Sequence, residues 1–62
     1  MKKEIIEILM RRDDLTREEA ERVFDDVAEQ MQDAVDTGDY SLAEEILMYE
    51  LGLEMDYIYA FF

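Results

Sequence analysis

Proline is absent from this chain, and its only two glycines stand at positions 38 and 52. Proline interrupts regular backbone by removing a donor and clashing with the preceding turn, and glycine does so through its conformational freedom. A chain with so few breakers is expected to form long helices divided near those two positions. Half of its residues are apolar and 39% are charged, which suits amphipathic helices and is too hydrophobic for intrinsic disorder. Its 62 residues correspond to one helical domain, 1–62, near the lower size limit for folding without a covalent or metal staple.

The apolar periodicity fills in the helices. Ile5, Ile6, Ile8, Leu9 and Met10 form one face of a helix from about Lys2 to Arg12, with Arg11 and Arg12 at its negative end. A break at Asp13 and Asp14 follows. Thr16 with Glu19 three residues on reads as a capping box, opening a second helix that runs to about Asp36. Its stripe is Ala20, Val23, Phe24, Val27, Ala28, Met31, Ala34 and Val35. Ser41 with Glu44 repeats the capping pattern and predicts the start of a third helix, with Leu42, Ala43, Ile46, Leu47 and Leu51 on its buried side. Gly52 reads as the left-handed residue that ends this helix, with Leu53 folding back on Leu47 or Met48. A short aromatic helix closes the chain, its α-helical wheel aligning Leu53, Tyr57 and Phe61 in one row and Ile58 with Phe62 in the next. The expected fold is all-α: a small bundle of three main helices plus this C-terminal segment.

Histidine and cysteine are both missing. Disulfides, imidazole and thiolate metal sites and the commonest acid–base and nucleophilic groups are thereby excluded, and an enzyme is not expected. "DTGDY" lacks the alternating oxygen ligands and terminal glutamate of a calcium loop, so neither metal nor cofactor is expected. The apolar run near the start is short and broken by Glu4 and Glu7, which argues against a signal peptide. No stretch reaches membrane-spanning length, and the expected location is cytoplasmic.

Charge is divided unevenly along the chain. All six basic residues lie between Lys2 and Arg22, against seven acidic ones, while the eleven acids from Asp25 to Asp56 have no basic residue among them. Nearly the whole net charge of −12 therefore belongs to the second part. Glu18, Asp25, Asp26, Glu29, Asp33 and Asp36 share a sector of the second helix opposite its apolar stripe. Carboxylates four apart lie about 6 Å apart along the helix axis, whereas phosphates on one DNA strand rise by about 3.4 Å, so such a row imitates a phosphate track approximately. The plainer reading is a solvated face that keeps the chain soluble. Like charges at this spacing repel, which a face mixed with lysine would avoid. Direct nucleic-acid binding is disfavoured under either reading. Glu50 projects into the apolar arc of the third helix, either reaching water at the rim or pairing with Arg12 or Arg22.

"LTREEAERVFDD" and "GDYSLAEEILMYELGLEMDY" resemble small acidic helical proteins of bacteriophages and prophage regions. The resemblance implies a phage accessory protein, a class that includes nucleic-acid-mimicking inhibitors of restriction and CRISPR systems. The functional expectation is a non-enzymatic inhibitor, a DNA mimic of anti-restriction or anti-CRISPR type, docking on a basic surface of a host nucleic-acid-handling protein. Asp25, Asp26, Glu29, Asp33, Asp36, Glu44 and Glu45 would supply its electrostatics, and Tyr40, Met48 and Tyr49 its anchors. The rival expectation is a structural protein that forms a homodimer through Tyr57, Ile58, Phe61 and Phe62, its acids conferring only solubility.

Overall fold

The helix opened by Thr16 is the element on which the others pack. In the computed structural model, which describes residues 2–61, this helix spans Arg17–Asp36 and is the second of three α-helices, α2. The Thr16 hydroxyl accepts from the Glu19 amide at 3.2 Å, and the Glu19 carboxylate accepts from the Thr16 amide at 3.0 Å. Two amides that would lack helical partners are satisfied reciprocally, so the start is fixed locally. From there Ala20, Phe24, Val27, Met31 and Ala34 are buried in one stripe. α1 (Lys2–Arg12) and α3 (Tyr40–Ile46) both pack on α2. The molecule measures 33 × 19 × 18 Å, and twenty residues rising about 1.5 Å each make α2 nearly as long as the whole. Among the described residues there is no strand, and the fold is all-α.

α1 ends through Asp14, which adopts a left-handed backbone with φ 54°. The Leu15 amide then reaches back to the Met10 carbonyl at 3.2 Å, the closure usually made around glycine. Aspartate tolerates this conformation better than most side chains do. α2 ends in the same way around Gly38, φ 79°, with the Asp39 amide on the Ala34 carbonyl at 2.8 Å.

Asp39 has a second task that replaces an expected one. Its carboxylate accepts from the Leu42 amide at 3.0 Å, so α3 opens at Tyr40 with Asp39 as its cap. The Ser41–Glu44 box does not form. An anionic acceptor next to the positive end of the helix outcompetes a neutral hydroxyl two residues later. Ala43, fully buried, centres the face that α3 lays on α2. Leu42 is turned roughly 100° away from it, which explains why it is exposed and not buried as expected.

After Ile46 the helix widens into a π turn, Leu47–Leu51, with the Gly52 amide bonded to the Leu47 carbonyl. Each residue of a π turn advances less around the axis than in an α-helix, so Leu47 and Leu51 stay buried while Glu50 is carried out to solvent. Glu50 therefore makes no ion pair with Arg12 or Arg22, correcting the buried-pair expectation and bearing out exposure. Gly52 has the expected left-handed backbone, φ 64°, and Leu53 beyond it is buried.

The last element, Met55–Ala60, is a 3₁₀ helix. Three residues per turn align i with i+3, so Ile58 lines up with Phe61 and Tyr57 with Ala60. All four are half-buried against the core. At α-helical pitch Ala60 would instead point away from the row of Leu53, Tyr57 and Phe61. Phe61 stacks on Phe24 with ring centroids 4.6 Å apart and planes 15° from parallel. Lys2 Nζ also lies 5.1 Å from the Phe24 centroid, a cation–π contact. Tyr57, Ile58 and Phe61 thus pack on the core of their own chain. Phe62, the fourth residue of the expected dimer contact, lies outside the described residues.

The glycines should differ in their tolerance of a side chain. A Cβ at Gly38 meets nothing within 4 Å, whereas one at Gly52 lies 3.3 Å from Arg12 Nη1. Gly38→Ala is expected to cost about 1 kcal/mol for its left-handed backbone, and Gly52→Ala measurably more. Asp14→Gly should stabilise by about 0.5 kcal/mol. Urea denaturation of the three variants checks this order, and equal costs at the two glycines would contradict it.

Candidate functional site

The sequence singled out one acidic face, and the structure divides its members. Asp25, Asp26, Glu29, Asp33 and Asp36 are exposed on α2, and Glu44 and Glu45 are exposed on α3. Only Asp25 among them has a cationic partner among the described residues. Asp25 lies 3.6 Å from Lys2 Nζ, and Asp36 accepts from Gln32 Nε2 at 3.0 Å. Tyr40, Met48 and Tyr49 stand on the outer side of α3 and the π turn, well exposed. No group of three or more carboxylates is arranged to hold a metal ion among the described residues.

Three of the six basic residues, Arg11, Arg12 and Arg17, are gathered differently, around the corner where α1 turns into α2. Arg11 and Arg17 line one groove, of about 290 Å³, together with Glu7, Met10 and Leu15. Arg11 also borders a second recess, of about 410 Å³, with Ile8 and Arg12. The tight closure at Asp14 brings this about: it turns the chain within four residues, so the last turn of α1 faces the first turn of α2. Arg12 is held by Asp13 through two hydrogen bonds, Nε to Oδ1 at 3.1 Å and Nη2 to Oδ2 at 3.0 Å. Arg11 and Arg17 have no carboxylate within ion-pair distance among the described residues. Periodicity had treated Arg11 only as a helix-end charge. The signal that would have found the corner is the clustering of Arg11, Arg12 and Arg17 across a helix break.

Electrostatics at the corner follow from these contacts. The hydrogen bonds from Arg12 hold the Asp13 carboxyl below the usual range, and Asp13 in turn raises the Arg12 guanidinium above its own. Glu19 is likewise lowered, first by the hydrogen bond from the Thr16 backbone.

The family model described as bacterial DNA-binding protein matches residues 1–46, so the chain belongs to the bacterial DNA-binding protein family. The match takes in all six basic residues. No curated protein and no solved structure is similar enough to the chain to match it. Membership corrects the resemblance to acidic phage proteins, and with it the expected DNA-mimicking, anti-restriction or anti-CRISPR inhibitor and the exclusion of nucleic acid as a direct partner. Net charge misled that reading because it averages over a chain in which three arginines, Arg11, Arg12 and Arg17, stand together at one corner. Among the described residues, no helix is long and apolar enough to cross a membrane.

The lowered carboxylates predict a pH dependence. Asp13 and Glu19 bind protons more weakly in the folded chain than in the unfolded one. The stability they contribute is full above their ordinary pKa values and is lost as pH falls through the lowered folded values. Asp13→Asn with Glu19→Gln should therefore be less stable than the parent at neutral pH, with a shallower decline below about pH 5. Thermal melts across the acid range test this, and parallel curves would contradict it.

Proposed function

We propose that this chain is a non-catalytic, nucleoid-associated protein of the bacterial cytoplasm that contacts DNA phosphates through the α1–α2 corner. Family membership over residues 1–46 is the observation that carries the reading. The geometry supports it by placing Arg11 and Arg17 on one groove with no internal carboxylate partner. Guanidinium groups match phosphate oxygens in a forked geometry, and each phosphate contact releases condensed counterions from the duplex. Met10 and Leu15, between the two arginines, offer an apolar floor to the sugar edge. Such contacts carry no base code, so binding is sequence-independent.

The obstacle is the surplus of acid, and distance decides its weight. Asp33 stands about 24 Å along α2 from Arg17, at about 1.5 Å per residue, while the Debye length at physiological salt is about 8 Å. Repulsion from the far half of α2 is therefore largely screened in the cell and emerges only at low salt. Glu7, which lines the same groove, and Asp13, which occupies Arg12, stand beside the contact and matter more.

Fluorescence anisotropy with a labelled duplex tests the reading. Two phosphate contacts give a log–log salt slope of about −2. Arg11→Glu with Arg17→Glu should abolish binding, and Asp13→Asn should strengthen it several-fold by freeing Arg12. Asp33→Asn with Asp36→Asn should leave affinity at physiological salt within about twofold, since both lie beyond the screening distance. Absence of binding at about 50 mM salt, or binding indifferent to the charge reversal, would overturn the proposal.

A further inference from the structure

Glu7 is out of keeping with a groove that only takes phosphate. It lines the groove together with Arg11 and Arg17, and a carboxylate there repels the anion that the arginines attract. Among the described residues every other lysine, arginine, aspartate and glutamate is exposed, whereas Glu7 is half-buried. It stands four residues before Arg11 on α1, the favoured order for a helical ion pair. Yet no ion pair or side-chain hydrogen bond among the described residues involves it. Two arginines, the apolar Met10 and Leu15, and a sheltered carboxylate acceptor with no internal donor thus border one space of about 290 Å³.

That set of groups matches a whole nucleotide better than a bare phosphate. Apolar side chains cover the face of a base, arginines hold its phosphate, and a carboxylate accepts from N–H groups on the base edge. Of the four DNA bases, guanine alone carries two adjacent N–H donors on its Watson–Crick edge, N1–H and the N2 amine, which suit the two oxygens of one carboxylate. Adenine, cytosine and thymine each set an acceptor beside the donor, and that acceptor repels a carboxylate. In a duplex the guanine edge is taken up by cytosine, so only an unpaired base offers it. We infer that the groove between Arg11 and Arg17 holds an unpaired guanine nucleotide of a single DNA strand, with Glu7 selecting the base. The inference rests on the DNA-contact reading of this corner and adds base selection to it, while contact with paired DNA stays sequence-independent.

Fluorescence anisotropy with the full chain compares a labelled all-thymine strand with the same strand carrying a single central guanine. The guanine strand should bind about tenfold more tightly, and annealing each strand to its complement should erase the difference. Hypoxanthine in place of guanine lacks the N2 amine and should lose most of the preference. Glu7→Gln should bring the guanine strand down to the thymine level while slightly strengthening the thymine strand, because one repelling charge is gone. Glu4→Gln, on the same helix and exposed, removes an equal charge and should leave the preference intact. An unchanged Tm shows that Glu7→Gln has folded. Equal binding of the two strands, a preference that survives Glu7→Gln or persists in the duplexes, or free dGMP binding more tightly than the guanine strand would each overturn the inference. If the strands bind alike while the duplexes bind through Arg11 and Arg17, the DNA-contact reading stands without it. Absence of binding by every probe at about 50 mM salt overturns both.

Discussion

One apolar stripe supports this molecule. Ala20, Phe24, Val27, Met31 and Ala34 run along α2, and α1 and α3 pack on that helix and share its core. Each large side chain buried there contributes roughly 1.5–3 kcal/mol, in a chain with no disulfide to assist it. Apart from the helix caps at Glu19 and Asp39, the carboxylates add little. All but Glu7 are exposed, only Asp13 and Asp25 form ion pairs among the described residues, and surface pairs are worth little. The fold therefore exists because apolar burial along α2 exceeds the repulsion among charges it cannot neutralise. The local devices, a reciprocal cap at Thr16 and left-handed closures at Asp14 and Gly38, ensure that burial occurs in one register.

The closure at Asp14 also connects the fold to the proposed DNA contact. A left-handed residue at position 14 folds the end of α1 back beside the start of α2, and this juxtaposition collects arginines that are dispersed in the linear chain. Overall charge describes a molecule seen from far away, whereas a phosphate group meets it within a few ångströms. At that range Arg11 and Arg17 count for more than Asp33 or Asp36. An acidic chain and membership of a DNA-binding family are compatible once charge is considered by position.

Much of the fold could be read from the letters, because its determinants are short-range. The bounds of α1 and α2, the Thr16–Glu19 cap and the ending at Gly52 depend on residues within a few positions of each other, which spacing reveals. What escaped depended on competition or on helix type. Asp39 won the α3 cap from Ser41 by its charge, the π turn carried Glu50 outward, and a 3₁₀ pitch aligned Ile58 with Phe61. A wheel drawn at α-helical pitch cannot anticipate either change of pitch. The site was less legible still, since the corner depends on Asp14 adopting a backbone usually left to glycine, and the acids that dominate the composition drew attention from it.

Lys2 and Phe61 both lie against the Phe24 ring, so one aromatic side chain of α2 fastens both the first and the last described stretches of the chain. Neither contact is local in sequence, and fraying of either stretch exposes part of the ring that holds the other.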